Sequence, residues 1–111
     1  MARPTKSGLD YFPTWNPQRV TASKFNNSDY KIRLKAIRNS SSGFIARKDV
    51  RAIILDDYDG VCACCGTDQD LQIDHIISVY QAVIRKFPIE KLNLRENLQP
   101  LCRTCNTGKN P

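Results

Sequence analysis

The segments V-C-A-C-C-G (residues 61–66), L-Q-I-D-H-I (71–76) and E-N-L-Q-P-L-C-R-T-C-N-T-G-K (96–109) decide how this 111-residue chain folds. Tetrahedral zinc takes four thiolates, and a Cys-x-x-Cys turn lets two sulfurs of one tight loop reach the same ion. Cys62 with Cys65 and Cys102 with Cys105 have that form, so a structural zinc is expected to staple the two loops. Gly66 suits the left-handed backbone position that follows such a turn, which selects Cys62 and Cys65 over pairings through Cys64. Cys64 is then a spectator, expected to be half-buried. With all four positions filled by protein, the zinc should hold the fold and perform no chemistry.

Length and composition agree with a stapled domain. At 111 residues and 41% hydrophobic content, any core must be small. Five cysteines are an odd number, which argues against a disulfide framework and for metal. No apolar run resembles a secretion signal or reaches the roughly 18 residues that would span a membrane. A cytoplasmic protein with no membrane partner is expected. A rubredoxin-like iron site also uses two Cys-x-x-Cys loops. Members of that family repeat Gly after the second pair, whereas Asn106 follows Cys105 here.

The net charge of +6 is uneven. Residues 1–45 carry eight Lys and Arg against Asp10 and Asp29, and the nine basic and nine acidic residues that follow cancel. A basic N-terminal arm (1–45) on a neutral body (46–111) suits a polyanionic partner, although basic residues on any solvated surface give a similar count. Prolines and polar residues break every apolar group up to Asn27, leaving Leu9, Tyr11, Phe12, Trp15 and Phe25 as single anchors. Residues 29–38 fit a helix capped by Ser28, with Tyr30, Leu34 and Ile37 on one face. The same residues alternate as a strand would, Tyr30, Ile32, Leu34 and Ala36 against Lys31, Arg33 and Lys35. The N-S-S-S-G run at 39–43 reads as a break. Residues 46–58 form a clearer helix with Val50, Ile53 and Ile54 toward the core. A further helix is expected over 78–87, with Val79, Tyr80, Val83, Ile84 and Phe87 on one broad face and Pro88 after it.

Leu71 to Ile76 reads as a short strand that delivers Asp74 and His75, the only histidine, at its end. Neighbours on a strand point to opposite sides, so these two share a site only if the strand bends. A carboxylate can hold a hard cation, and a neutral imidazole can take a proton from water near pH 7. Taken alone, the pair is most simply a hydrogen-bonded acid and histidine.

The combination D-H-I-I between the cysteine turns, followed by E-N-L-Q-P-L-C-R-T-C-N-T-G-K, resembles the HNH endonuclease family over about residues 46–109. The resemblance implies an α+β fold: a ββα-metal unit braced by zinc, with flanking helices and the basic arm. It implies metal-dependent hydrolysis of DNA, with His75 as general base and Asp74 and Asn106 holding a catalytic Mg²⁺ or Mn²⁺. Asn97 matches the middle Asn of the family name, which ties the two strands together through backbone hydrogen bonds; Asn93 is a second candidate for that role. Asn106 stands where the name has its last His, and an amide oxygen also serves as a ligand for a hard divalent ion. Lys109, Arg103, Lys31, Arg33, Lys35 and Arg38 are the expected DNA contacts. The rival expectation is a zinc-stapled nucleic-acid-binding module without cleavage.

Overall fold

The computed structural model describes residues 12–16, 28–85 and 87–109. Leu9, Tyr11, Phe25 and the basic residues Arg3, Lys6, Arg19 and Lys24 lie outside them. The element order is α1 (Tyr30–Ile45), α2 (Lys48–Asp57), β1 (Leu71–His75), α3 (Val79–Ile84), two single 3₁₀ turns (Ile89–Lys91 and Arg95–Asn97), β2 (Leu98–Cys102) and α4 (Arg103–Gly108). The strands pair antiparallel, with Ile73 opposite Pro100, Asp74 opposite Gln99 and His75 opposite Leu98. The expected small α+β fold is found: a ββα unit, with α4 leaving directly from the end of β2.

Helix α1 differs from its expectation at both ends. Asp29, and not Ser28, caps it, its carboxylate accepting from the Lys31 N–H at 2.9 Å. The N-S-S-S-G run does not break it, and the helix continues to Ile45. The reason lies in packing, which outweighs the weak helix propensity of Ser and Gly. Ile37, Ser41 and Phe44 recur on one helical face and are all buried, so stopping at Arg38 would expose Phe44. The strand alternative is excluded. Helix α2 starts two residues later than expected but buries Val50, Ile53 and Ile54, as its periodicity requires. Helix α3 is shorter than 78–87. Its buried face is Val79, Ala82 and Val83, whereas Tyr80 and Ile84 are exposed. Ser78 begins it with a reciprocal cap, accepting from the Gln81 N–H while the Gln81 side chain accepts from the Ser78 N–H.

Apolar contacts form three neighbouring groups. Ile37 packs with Val79, Ala82, Val83 and Leu92, and Phe44 packs with Val50, Ile54 and Leu98. Leu101 packs with Cys62 and Cys102 beside the cysteine turns. Trp15 touches the first two groups and donates its indole N–H to Ser40 at 3.0 Å, while Phe12 packs edge-on against Phe44. Two of the expected aromatic anchors therefore pin residues 12–16 to the body.

One buried ion pair ties α2 to the turn before β2. Asp57 accepts from Arg95 in a two-pronged contact, one arm at 2.7 Å, and both side chains are almost wholly buried. Removing one member of such a pair strands the other charge away from water. Asp57→Ala should therefore lower the stability of the zinc-loaded protein by about 3–5 kcal/mol, read from its urea unfolding midpoint.

Candidate metal centre and adjoining acid–histidine site

The cysteine turns converge. The sulfurs of Cys62, Cys65, Cys102 and Cys105 all lie within 4.8 Å of one another, and Cys65 and Cys102 stand 3.7 Å apart. A tetrahedron with Zn–S bonds of about 2.3 Å has edges of about 3.8 Å, so the cluster already has nearly the size of a zinc site. Backbone N–H groups of Cys64 and Cys65 point at Cys62 Sγ, and that of Cys105 points at Cys102 Sγ, at 3.4–3.5 Å. Gly66 has φ +81°, the left-handed position expected of it, and its N–H closes the turn onto the Cys62 carbonyl at 3.0 Å. Burial pushes the Cys62 thiol up, but the surrounding N–H donors outweigh it and bring the pKa to about 6. Cys105 is pushed the other way, first by its contact with Cys102. Crowded thiols that resist ionising together are what a divalent cation relieves, since metal binding releases their protons. Cys64 is outside the cluster and exposed, not half-buried as expected.

The second site lies at the end of β1, and the strand pleat divides it. The side chain of Asp74 turns toward β2 and α4, where its Oδ2 accepts from Gln99 at 3.1 Å and from Lys109 Nζ at 2.6 Å. The Lys109 ammonium also donates to the His75 carbonyl and, at 3.4 Å, to the Ile76 carbonyl. One carboxylate and two carbonyl oxygens thus surround one cation. The imidazole of His75 turns the other way, toward Asn93 Oδ1 at 2.6 Å and Ser41 Oγ at 3.0 Å. The two side chains do not touch, yet they act on each other. Burial holds the His75 pKa below its ordinary value; Asn93 and the Asp74 charge raise it, and the Lys109 charge lowers it.

Asn97 governs the turn that follows. Its backbone carbonyl accepts from the Ile76 N–H and its side-chain oxygen from the Ile77 N–H, each at 2.8 Å. Its amide nitrogen donates to the carbonyls of Leu92 at 2.8 Å and Ile77 at 3.1 Å. One buried side chain therefore joins the chain leaving β1 to the chain entering β2. Asn106 is held by Gln72 Oε1 at 2.6 Å, on the same strand face as Asp74 but not in contact with it.

The expected DNA contacts divide. Lys31, Lys35, Arg38 and Arg103 are exposed, whereas Arg33 reaches back to the Val83 carbonyl at 3.3 Å and Lys109 is engaged with Asp74. Arg38 and Tyr80 flank a groove of about 240 Å³ that His75, Ser41 and Ser42 also line. Sequence reasoning missed Ser41, which it placed in a break, and gave Asn93 another role. A signal for Asn93 was present, since an Asn between Leu92 and Leu94 is an uncommon occupant of an apolar run.

None of the described helices is long and apolar enough to cross a membrane. No curated protein and no solved structure matches the chain. Residues 62–111, from the first of the four clustered cysteines through the acid–histidine strand to α4, match the family model of the HNH endonuclease.

Proposed function

We propose that the protein is a metal-dependent DNA endonuclease in which His75 is the general base. The observation that carries this reading is the cation seat of Asp74 Oδ2 and the His75 and Ile76 carbonyls, next along the chain to a half-buried imidazole that turns to the other side of the strand. Its hard oxygen donors suit Mg²⁺ or Mn²⁺, with the Lys109 ammonium standing in for the ion. A divalent ion held there by Asp74, with Asn106 released from Gln72 to join it as a second ligand, would neutralise charge on the scissile phosphate and on the departing 3′-oxygen.

The other steps belong to the chain itself. His75 takes a proton from the attacking water, Asn97 holds the turn that fixes the end of β1, and Lys31, Lys35, Arg38 and Arg103 meet phosphates. Water adds to phosphorus, the P–O3′ bond breaks, and the products are 5′-phosphate and 3′-hydroxyl ends. Nicks of that kind are sealed by DNA ligase without prior end repair. Failure of ligase to seal the cleaved product would contradict this route.

The pKa direction fixes a second expectation. An imidazolium cannot accept a proton, and burial keeps His75 neutral to below its ordinary value of 6.5. The single-turnover rate should therefore be level through neutral pH and fall on the acid side, with its midpoint below about 6.5. A midpoint above that value would exclude His75 as the base.

One observation favours the rival reading of a nucleic-acid-binding module without cleavage: Lys109 already neutralises Asp74. That module would bind DNA with the same salt dependence but leave it intact. In either case, exchanging Lys31, Lys35 and Arg38 for Gln should make the slope of log affinity against log salt shallower by up to about 0.9 per lost phosphate contact. An unchanged slope would show that α1 does not meet the DNA.

A further inference from the structure

The imidazole of His75 is held from within the HNH segment by Asn93 and from outside it by Ser41 of α1. Besides its contacts to Asn93 and Ser41, a third one closes the triangle, with the Ser41 hydroxyl donating to Asn93 Oδ1 at 3.2 Å. Ser41 is 1% exposed and Asn93 2%, so water does not compete with these bonds. An amide oxygen can only accept. With Oδ1 facing the ring, the imidazole hydrogen must sit on Nε2, where it is shared between Asn93 Oδ1 and Ser41 Oγ. All three contacts are then donor–acceptor pairs. A neutral imidazole with its hydrogen on Nε2 keeps a lone pair on Nδ1, and Nδ1 bonds to none of the described residues.

Asn93 is a poor core filler. Its Nδ2 is buried and unpaired among the described residues, a condition that costs about 1–3 kcal/mol and that a leucine would avoid. Its oxygen, in contrast, is used twice. We propose that Asn93 and Ser41 are positioning residues that fix His75 in the Nε2–H tautomer and leave Nδ1 as the proton acceptor. Helix α1 thereby completes a site whose other members lie in the HNH segment, and its next turn lines the groove beside His75. The catalytic meaning of this rests on the nuclease reading above. The tautomer itself does not.

With one histidine in the chain, a long-range ¹H–¹⁵N correlation of the zinc-loaded, ¹⁵N-labelled full-length protein shows a single imidazole. At roughly pH 7.5, above the ordinary histidine pKa, the wild type should show predominantly the Nε2–H tautomer. Asn93→Leu should yield a mixture of both tautomers, Asn93→Asp should keep Nε2–H because it keeps the acceptor, and Ser41→Ala should shift the ratio part of the way. Under single-turnover conditions Asn93→Leu should lower the cleavage rate by about 10- to 100-fold with DNA affinity unchanged, and Asn93→Asp should recover most of it. A wild type with its hydrogen mainly on Nδ1 overturns the proposal, as does a tautomer ratio that neither Asn93→Leu nor Ser41→Ala alters. Should Asn93→Leu fail to fold, the wild-type and Ser41→Ala spectra decide alone. A wild type with the stated tautomer and no cleavage under any divalent metal would remove the nuclease reading and leave the positioning pair in place.

Discussion

Cys62→Ser and Cys105→Ser should each unfold the C-terminal half of the protein. A metal ion on the four sulfurs would join the turn at 62–66 to the start of α4, and the apolar group beside them is Leu101 with the cysteines themselves and a half-buried Leu71. So small a core cannot hold two loops together. A structural zinc contributes on the order of 10 kcal/mol of folding free energy, close to or above the total stability of an ordinary domain. Losing one thiolate should be seen as loss of bound zinc together with collapse of amide dispersion in the HNH segment. Cys64→Ser should keep one zinc per chain and a native spectrum, because Cys64 lies outside the cluster. Zinc lost in Cys64→Ser but kept in Cys62→Ser would mean that the ligand assignment is wrong.

His75→Ala should lower the cleavage rate by roughly 10²- to 10⁴-fold, the usual contribution of a general base. No second histidine exists to replace it. The zinc cluster is separate from it, so zinc content and DNA affinity should remain. Asp74→Ala removes the one charged member of the cation seat and should instead raise the Mg²⁺ or Mn²⁺ concentration needed for half-maximal rate, with partial recovery at high metal. The two substitutions are therefore separable. A metal-dependent rescue of His75→Ala equal to that of Asp74→Ala would place His75 among the ligands and remove it as the base.

The four-cysteine cluster was legible in the sequence because its geometry is local: each Cys-x-x-Cys turn carries its own spacing, and Gly66 marks the exit of the first. Helix α2 was legible for a similar reason, since Val50, Ile53 and Ile54 repeat at the helical period. The length of α1 was not, because Ser40 to Gly43 have poor helix propensity and only contacts distant in sequence hold them. Trp15 bonds to Ser40, and Ser41 meets His75 and Asn93, all through separations that no local pattern records. The exposure of Tyr80 and Ile84 likewise follows from where α3 ends, which its apolar residues do not indicate. Alternation along β1 puts Asp74 and His75 on opposite sides unless the strand bends, and the two side chains do turn opposite ways. What the sequence could not supply was the occupant of each side: Lys109 at the carboxylate, Asn93 and Ser41 at the imidazole.

The Lys109–Asp74 contact makes the central claim easy to test, because a nuclease must exchange that ammonium for a metal ion and a binding module need not. Supercoiled plasmid incubated with zinc-loaded wild-type protein should be converted to nicked or linear DNA when Mg²⁺ or Mn²⁺ is added. The conversion should stop on chelation of that ion and be slowed by at least about 10²-fold in His75→Ala purified identically. Plasmid that stays supercoiled with every divalent ion, or that the His75→Ala protein cuts at the wild-type rate, would contradict the account.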